Sequence, residues 1–218
     1  STSRSVGGGR EARQSERRAA PVRDPDAGAF RGELEAALEG ALDGEVRFDA
    51  WTRHLFSTDA SMYAVEPVGV AFPRHADDVR AALEIAGRFG VPVLPRGAAT
   101  SLAGQTAGAA VVLDFSRHMD AIVSVDAEAR TARVQPGVVQ DDLNRAVGAH
   151  GLLFAPDTST GNRATLGGMI GNNSCGARSA RYGMTIDHVR ALDVLLSDAS
   201  AARLEPLSPA EVARRAEG

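Results

Sequence analysis

Two stretches of this chain carry main chain and little else, and they constrain its fold more than any other feature. The first, VPVLPRGAATSLAGQ (91–105), leaves a short apolar strand at Pro95 and enters a loop in which Leu102 is the one bulky residue between Arg96 and Gly104. The second is TLGGMIGNNSCGARSARYG (165–183). Loops this bare leave backbone N–H groups accessible, and Gly97 is able to take positive φ, so the main chain can approach a negative ligand closely. Thr100 and Ser101 add hydroxyl donors within reach of the same anion.

The surrounding pattern places the first loop on a scaffold. Val68 to Phe72 reads as a buried strand closed by Pro73. Asp77 and Asp78 then suit a helix N-terminus, and Val79, Ala82, Leu83, Ile85, Ala86 and Phe89 give that helix a wide apolar face ending at Gly90. Val91 to Leu94 is the next strand, so 68–94 is expected to form a β-α-β unit with parallel strands and a right-handed crossover. The loop leaves the carboxyl end of that second strand, where open α/β sheets bind ligands. A third strand, Ala110 to Phe115, joins the same sheet.

Upstream, Phe30, Leu34 and Leu38 at a spacing of four predict a helix over 27–40. RFDAWTRHLFSTDASMYAVEP, with aromatic residues at no helical period, reads as a packed loop. Downstream, Ala121–Val125 and Thr131–Gln135 alternate around a turn and predict an antiparallel hairpin. A helix over Val138–His150 and a long strand over 187–196 complete a second, mainly antiparallel part. The expected class is therefore α+β, with one small parallel unit (64–116) and one antiparallel unit (117–204) flanked by helices, and the bare loops in the groove between them. Residues 1–26 read as a disordered leader, 27–63 as the helix and packed loop, and 205–218 as the start of a following segment, so that the chain reads as an N-terminal piece of a longer protein.

Composition excludes several functions. With 218 residues and 44% hydrophobic content the chain can bury a real core. A net charge of −4 supplies no basic field for nucleic acid. All positive residues are arginine, which removes lysine as nucleophile, Schiff-base former or phosphate-loop cation. One cysteine, Cys175, permits neither an internal disulfide nor a cysteine-ligated cluster within this chain. No apolar run approaches the roughly 18 residues of a membrane helix. The five histidines, at 54, 75, 118, 150 and 188, show no metal spacing, and no metal site is expected. Nicotinamide-type G-x-G-x-x-G, the P-loop and G-x-S-x-G are all absent.

Two further stretches carry chemistry. Pro156-Asp157-Thr158-Ser159 is a turn with hydroxyls beside a proline. Thr165 precedes Gly167-Gly168-Met169-Ile170-Gly171, which reads as a short, closely packed helix with its N-terminus toward an anion, followed by the amides and hydroxyl of Asn172, Asn173 and Ser174, suited to the edge of a heterocycle. Together the loops read as the seat of a dinucleotide's diphosphate. Four charge-assisted bonds at about 1.5–3 kcal/mol each give roughly 6–12 kcal/mol gross, against an association cost of about 4–15 kcal/mol, so burial of the aromatic ends must contribute too.

The series STDAS (57–61), PRHADDV, PVLPRGAATSLAGQ, PDTS and ATLGGMIGNNSCGARSARYGMTIDHV, in this order, resembles the FAD-binding domain of the p-cresol methylhydroxylase and vanillyl-alcohol oxidase superfamily over about residues 55–198. Within it the chain is most similar to FAD-linked 2-hydroxy-acid dehydrogenases of the D-lactate, glycolate and D-2-hydroxyglutarate type, including large forms with a C-terminal iron–sulfur domain. The resemblance implies that Arg96, Gly97, Ala98, Ala99, Thr100 and Ser101 wrap the diphosphate, with Pro95 and Gln105 also binding the cofactor. Pro156, Asp157, Thr158 and Ser159 would line the flavin side. Gly167, Gly168, Gly171, Asn172 and Ser174 would continue along ribityl and diphosphate, with Thr165 also binding the cofactor and the backbone near Val189 at the adenine.

The first loop lacks the histidine that carries covalent flavin in some relatives, so FAD is expected to be non-covalent, with Cys175 an inert thiol. His75 stands where the family has Ser or Thr, which implies a weaker helix cap. The implied reaction is hydride transfer from the α-carbon of a 2-hydroxy acid to flavin, with electrons passed to a quinone, a flavoprotein or an iron–sulfur chain. Catalytic residues and any iron–sulfur site are expected after residue 218, and the place of work in the cytoplasm or at the inner face of the membrane. The competing expectation is a non-catalytic nucleotide-binding module that keeps the fold.

Overall fold

The protein is described by a computed structural model over residues 28–216, and the expected leader lies outside the described residues. Helix α1 (Gly28–Glu39) buries Phe30, Leu34 and Leu38, as their spacing of four requires. Strand β1 (Glu45–Arg47) and helix α2 (Ala50–Leu55) follow, within and beside the stretch expected to be a packed loop. The helix is set by its cap: the Asp49 carboxylate accepts the Thr52 N–H at 2.9 Å and the Thr52 hydroxyl at 2.7 Å. Its aromatic residue does not mark a core, because Trp51 is 70% exposed, and that is why periodicity concealed this helix.

Strand β2 (Gly69–Phe72), helix α3 (Ala76–Phe89), strand β3 (Val93–Arg96) and strand β4 (Val111–Asp114) then build a four-stranded sheet in the order β1-β2-β4-β3. Strands β2 and β3 run the same way, as expected, but each pairs with β4 rather than with the other. Pro95 lies inside β3 instead of closing it. An edge strand tolerates this, since a missing N–H is harmless where no neighbour would accept it. The sheet shows period-two burial: Ala71, Val111 and Leu113 pack with α1 and α3, while Val70, Phe72 and Val112 pack with Phe56 and Leu94. Each large side chain so buried contributes about 1.5–3 kcal/mol.

His75 does cap α3. Its Nδ1 accepts the Asp78 N–H at 3.3 Å, and its Nε2 meets Asp43 Oδ2 at 3.1 Å. Asp43, His75 and Asp78 thus cluster although sequence spacing showed no such group. Both oxygens of buried Asp78 already accept main-chain N–H groups, from Asp43 at 2.9 Å and Arg74 at 2.8 Å, so the cluster is accounted for as a capping network.

The second part holds the hairpin β5 (Ile122–Asp126) and β6 (Thr131–Val134), helices α4 (Gln140–Gly148), α5 (Leu166–Asn172) and α6 (Ser179–Tyr182), strands β7 (Leu192–Leu195) and β8 (Ala201–Leu204), and helix α7 (Pro209–Ala216). Val138, Leu143, Val147 and Leu166 form its core against the hairpin. The long strand expected over 187–196 is a 3-10 turn (Thr185–His188) followed by the four-residue β7, because Asp187 turns back to accept the Met184 N–H at 2.8 Å. The second sheet is likewise two separate two-stranded hairpins. Asp193 links them through Arg133 at 2.7 Å and pairs with Arg203 at 3.0 Å within its own hairpin.

Candidate functional site

Loop 97–106 leaves β3 at the edge of the first sheet, and α5 rises from the second core through Leu166. They meet at Gly97. A Cβ there would lie 2.0 Å from Thr165 Oγ1, so glycine is required by contact with the second loop. Positive φ falls elsewhere than expected, on Ala99 (54°) and Gly104 (79°). A side chain at Gly104 would also strike Tyr63 at 2.4 Å. Farther along, Gln105 Nε2 donates to Asn172 Oδ1 at 2.6 Å, and Asn172 Nδ2 reaches Ser101 Oγ at 3.4 Å.

Between these contacts lies a groove of about 390 Å³. Gly97 to Ser101 form one wall; Thr165, Gly168, Asn172 and Ser174 form the other; Thr158 also lines it. Sequence reasoning missed Thr106, Thr160, Ala164 and Met169, which complete the lining. The lining bears no charged side chain, only amides, hydroxyls and small apolar groups. From Gly97 to Gln105 no main-chain N–H donates to an acceptor among the described residues. Such a surface can offer hydrogen bonds to a phosphate's oxygens and nothing that competes for them.

The other expected residues stand around this groove. Arg96 is buried and turns away from it, donating to Phe56 O at 2.9 Å, Thr106 O at 3.1 Å and Thr58 O at 2.7 Å. Burial lowers its guanidinium from the ordinary value, against the opposing pull of Asp114 and Asp59. Asp59 is a second brace. Burial raises its carboxyl, but hydrogen bonds from Ser61 and Thr106 outweigh that and hold it below the usual value.

Pro156, Asp157 and Thr158 border a second hollow of about 420 Å³ with Arg178 and Tyr182. Asp157 pairs with Arg178 at 3.1 Å. The turn is held from α4 by buried Gln140, whose Nε2 donates to Pro156 O and whose Oε1 accepts the Thr158 hydroxyl at 2.6 Å. No local signal predicted Gln140, which lies 16 and 18 residues from these partners.

Pro95, Ser159, Gly171 and Val189 lie outside both hollows, and Gly171 faces open space. Gly167 is a packing residue: a Cβ would meet Pro136 at 2.7 Å, and its N–H is taken by Pro136 O at 2.8 Å. Leu166 N–H is likewise taken by Val138 O, so of the first three amides of α5 only that of Gly168 has no acceptor among the described residues. Cys175 is exposed and does not line the groove.

The chain that builds this groove is similar to known proteins. The sequence profile of a family described as FAD binding domain matches residues 67–205. D-2-hydroxyglutarate dehydrogenase of Pseudomonas putida is 43% identical over 166 residues, 75% of this chain and 16% of that protein. Glycolate oxidase subunit GlcD of Bacillus subtilis is 41% identical over 149 residues, 67% of this chain and 32% of that protein. This chain therefore spans a minor share of each relative. The structure of p-cresol methylhydroxylase with substrate bound superposes with a TM-score of 0.71 at 17% identity, covering 81% of this chain and 35% of that one, and so shares the fold. The match to the profile over more than half its length, on the residues that build both walls of the groove, shows that this chain belongs to the FAD binding domain family.

Proposed function

We propose that the chain is the FAD-holding part of a dehydrogenase that oxidises the CH–OH group of a 2-hydroxy acid. Support for the substrate class comes from relatives named for D-2-hydroxyglutarate and glycolate. The observation that carries the cofactor reading is the run of unpaired N–H groups from Gly97 to Gln105 beside an uncharged groove. A diphosphate needs several donors and no neighbouring carboxylate, and this lining meets both needs.

In this reading residues 64–204 are the cofactor-binding unit, with parts 64–116 and 117–204 supplying one wall each. Gly97 to Ser101 and Gly168 donate main-chain N–H groups to the diphosphate, and the hydroxyls of Thr100 and Ser101 add further donors, while the Thr158 hydroxyl stays committed to Gln140. Asn172 and Ser174 hold the part of the cofactor that continues past α5. Bound FAD supplies the acceptor for the hydride. The chain's own task is to bind, orient and screen it from water.

The cofactor is held non-covalently, because the first loop has no histidine and Cys175 stands off the groove. We place substrate contacts and catalytic groups in other parts of the whole protein, because the match covers only 16% and 32% of the relatives named above, and any iron–sulfur centre likewise, since one cysteine cannot ligate a cluster. Electrons pass to an acceptor other than oxygen, a quinone, flavoprotein or iron–sulfur chain. No described helix is long and apolar enough to cross a membrane, and we place the work in the cytoplasm or at the inner membrane face. Flavin titration followed by fluorescence quenching tests the reading. Saturable binding by the wild type, abolished in Gly97→Val and kept in Gly171→Ala, is expected; equal titrations for all three would sink it.

A further inference from the structure

Loop 97–106 is pinned at both ends to one segment, 56–61. At its start Arg96 donates to Phe56 O at 2.9 Å and to Thr58 O at 2.7 Å. At its end Thr106 gives its carbonyl to the same guanidinium at 3.1 Å and its hydroxyl to Asp59 Oδ2 at 2.9 Å. Midway, Ala60 N–H donates to Ala99 O at 3.0 Å. Ala99 is the loop's one non-glycine residue at positive φ. A left-handed alanine is disfavoured and persists only where its surroundings impose it. The Ser61 N–H bond to Asp59 Oδ1, at 2.9 Å, shapes the turn that carries Ala60.

We propose that Asp59 is a positioning residue for the anion-holding loop. Its carboxylate joins Thr106 on the loop to Ser61 on the brace, keeps Ala60 against Ala99, and so maintains the conformation in which the 97–105 amides stay unpaired before ligand arrives. The groups facing it are the Arg96 guanidinium and, beyond that, Asp114. The proposal rests on the FAD reading, and it adds a preorganising residue that does not line the groove.

The test compares the full chain with Asp59→Ala, Asp59→Asn and Thr106→Val by FAD titration and by hydrogen exchange of 97–106. Asp59→Ala is expected to weaken FAD binding about tenfold to a hundredfold, the scale of lost hydrogen bonds to a charged group, and to speed exchange in the loop while α4 is unchanged. Asp59→Asn, which keeps one acceptor oxygen, recovers part of the affinity. The double variant Asp59→Ala with Thr106→Val is expected to bind less weakly than the sum of the two single losses predicts, because both remove the same Thr106–Asp59 bond; fully additive losses overturn the coupling. A folded Asp59→Ala protein with wild-type affinity and wild-type loop exchange overturns the proposal. Where Asp59→Ala does not fold, wild-type affinity in both other variants overturns it. Should the wild type bind no FAD, the functional reading fails by itself, and the brace is judged on exchange alone: faster exchange over 97–106 in Asp59→Ala upholds it and unchanged exchange refutes it.

Discussion

The two bare loops look alike as strings of small residues, yet the structure uses them oppositely. In 97–105 Gly97 and Gly104 make room for Thr165 and Tyr63, but the run as a whole stays exposed: its amides have no acceptor among the described residues, and the chain is braced from behind by Asp59 and Arg96. In 165–176 it serves packing: Gly167 presses on Pro136, Gly176 lies where a Cβ would be 1.4 Å from Asp157 O, and the first amides of α5 bond to Val138 and Pro136. A glycine can therefore mean an approach to ligand or an approach to protein. Only the neighbour decides which.

The sharpest way to break this contrast is to read binding and stability separately. Gly176→Ala drives a methyl group into a carbonyl and is expected to lower stability by about 3 kcal/mol, seen as a fall in the urea midpoint. A midpoint at the wild-type value would show that the second loop is not packed as described. Ala98→Pro removes an N–H that has no acceptor among the described residues. It should weaken FAD binding by about 1.5–3 kcal/mol in titration calorimetry while thermal unfolding hardly moves. The reverse pattern would reverse the roles of the loops.

Acid sharpens the comparison further. Because the Asp59 carboxyl sits below its usual value when folded, its contribution is present above the unfolded value of about 4 and is lost as pH falls through the folded value. Stability measured against pH should thus show an acid-side loss below about pH 4 that is smaller in Asp59→Asn. Smallest of all, Cys175→Ser should leave both affinity and unfolding at wild-type values, since the thiol is exposed and off the groove. Loss of flavin in that variant alone would point to a covalent link.

Much was legible from the sequence because it is local. The spacing of Phe30, Leu34 and Leu38 dictated α1, the buried runs dictated β2 and β4, Gly90 ended α3, and the order of short motifs indicated the flavin-binding fold. Helix α2 was hidden by an exposed tryptophan although Asp49 and Thr52 signalled its cap, and the strand expected over 187–196 was shortened by the Asp187 turn. At the start of α5, where an anion seat was expected, Val138 and Pro136 take the amides of Leu166 and Gly167, which no local pattern announced.

What the chain's order alone determined, then, is which segments alternate, where they stop, and that main chain would be laid bare at two places. Periodicity, capping and the lack of side chains act within a few residues and need no partner to be read. Tertiary structure alone decided that the Arg96 side chain braces the 56–58 segment, that Gln140 and Asp59 bond to the turn and the loop on the two sides of the groove, and that Gly97 is glycine because of Thr165. Those are contacts between residues 16 to 68 positions apart, set by how segments fold back within each part and, for Gly97 and Thr165, by how the two parts meet, and no local pattern encodes such a distance.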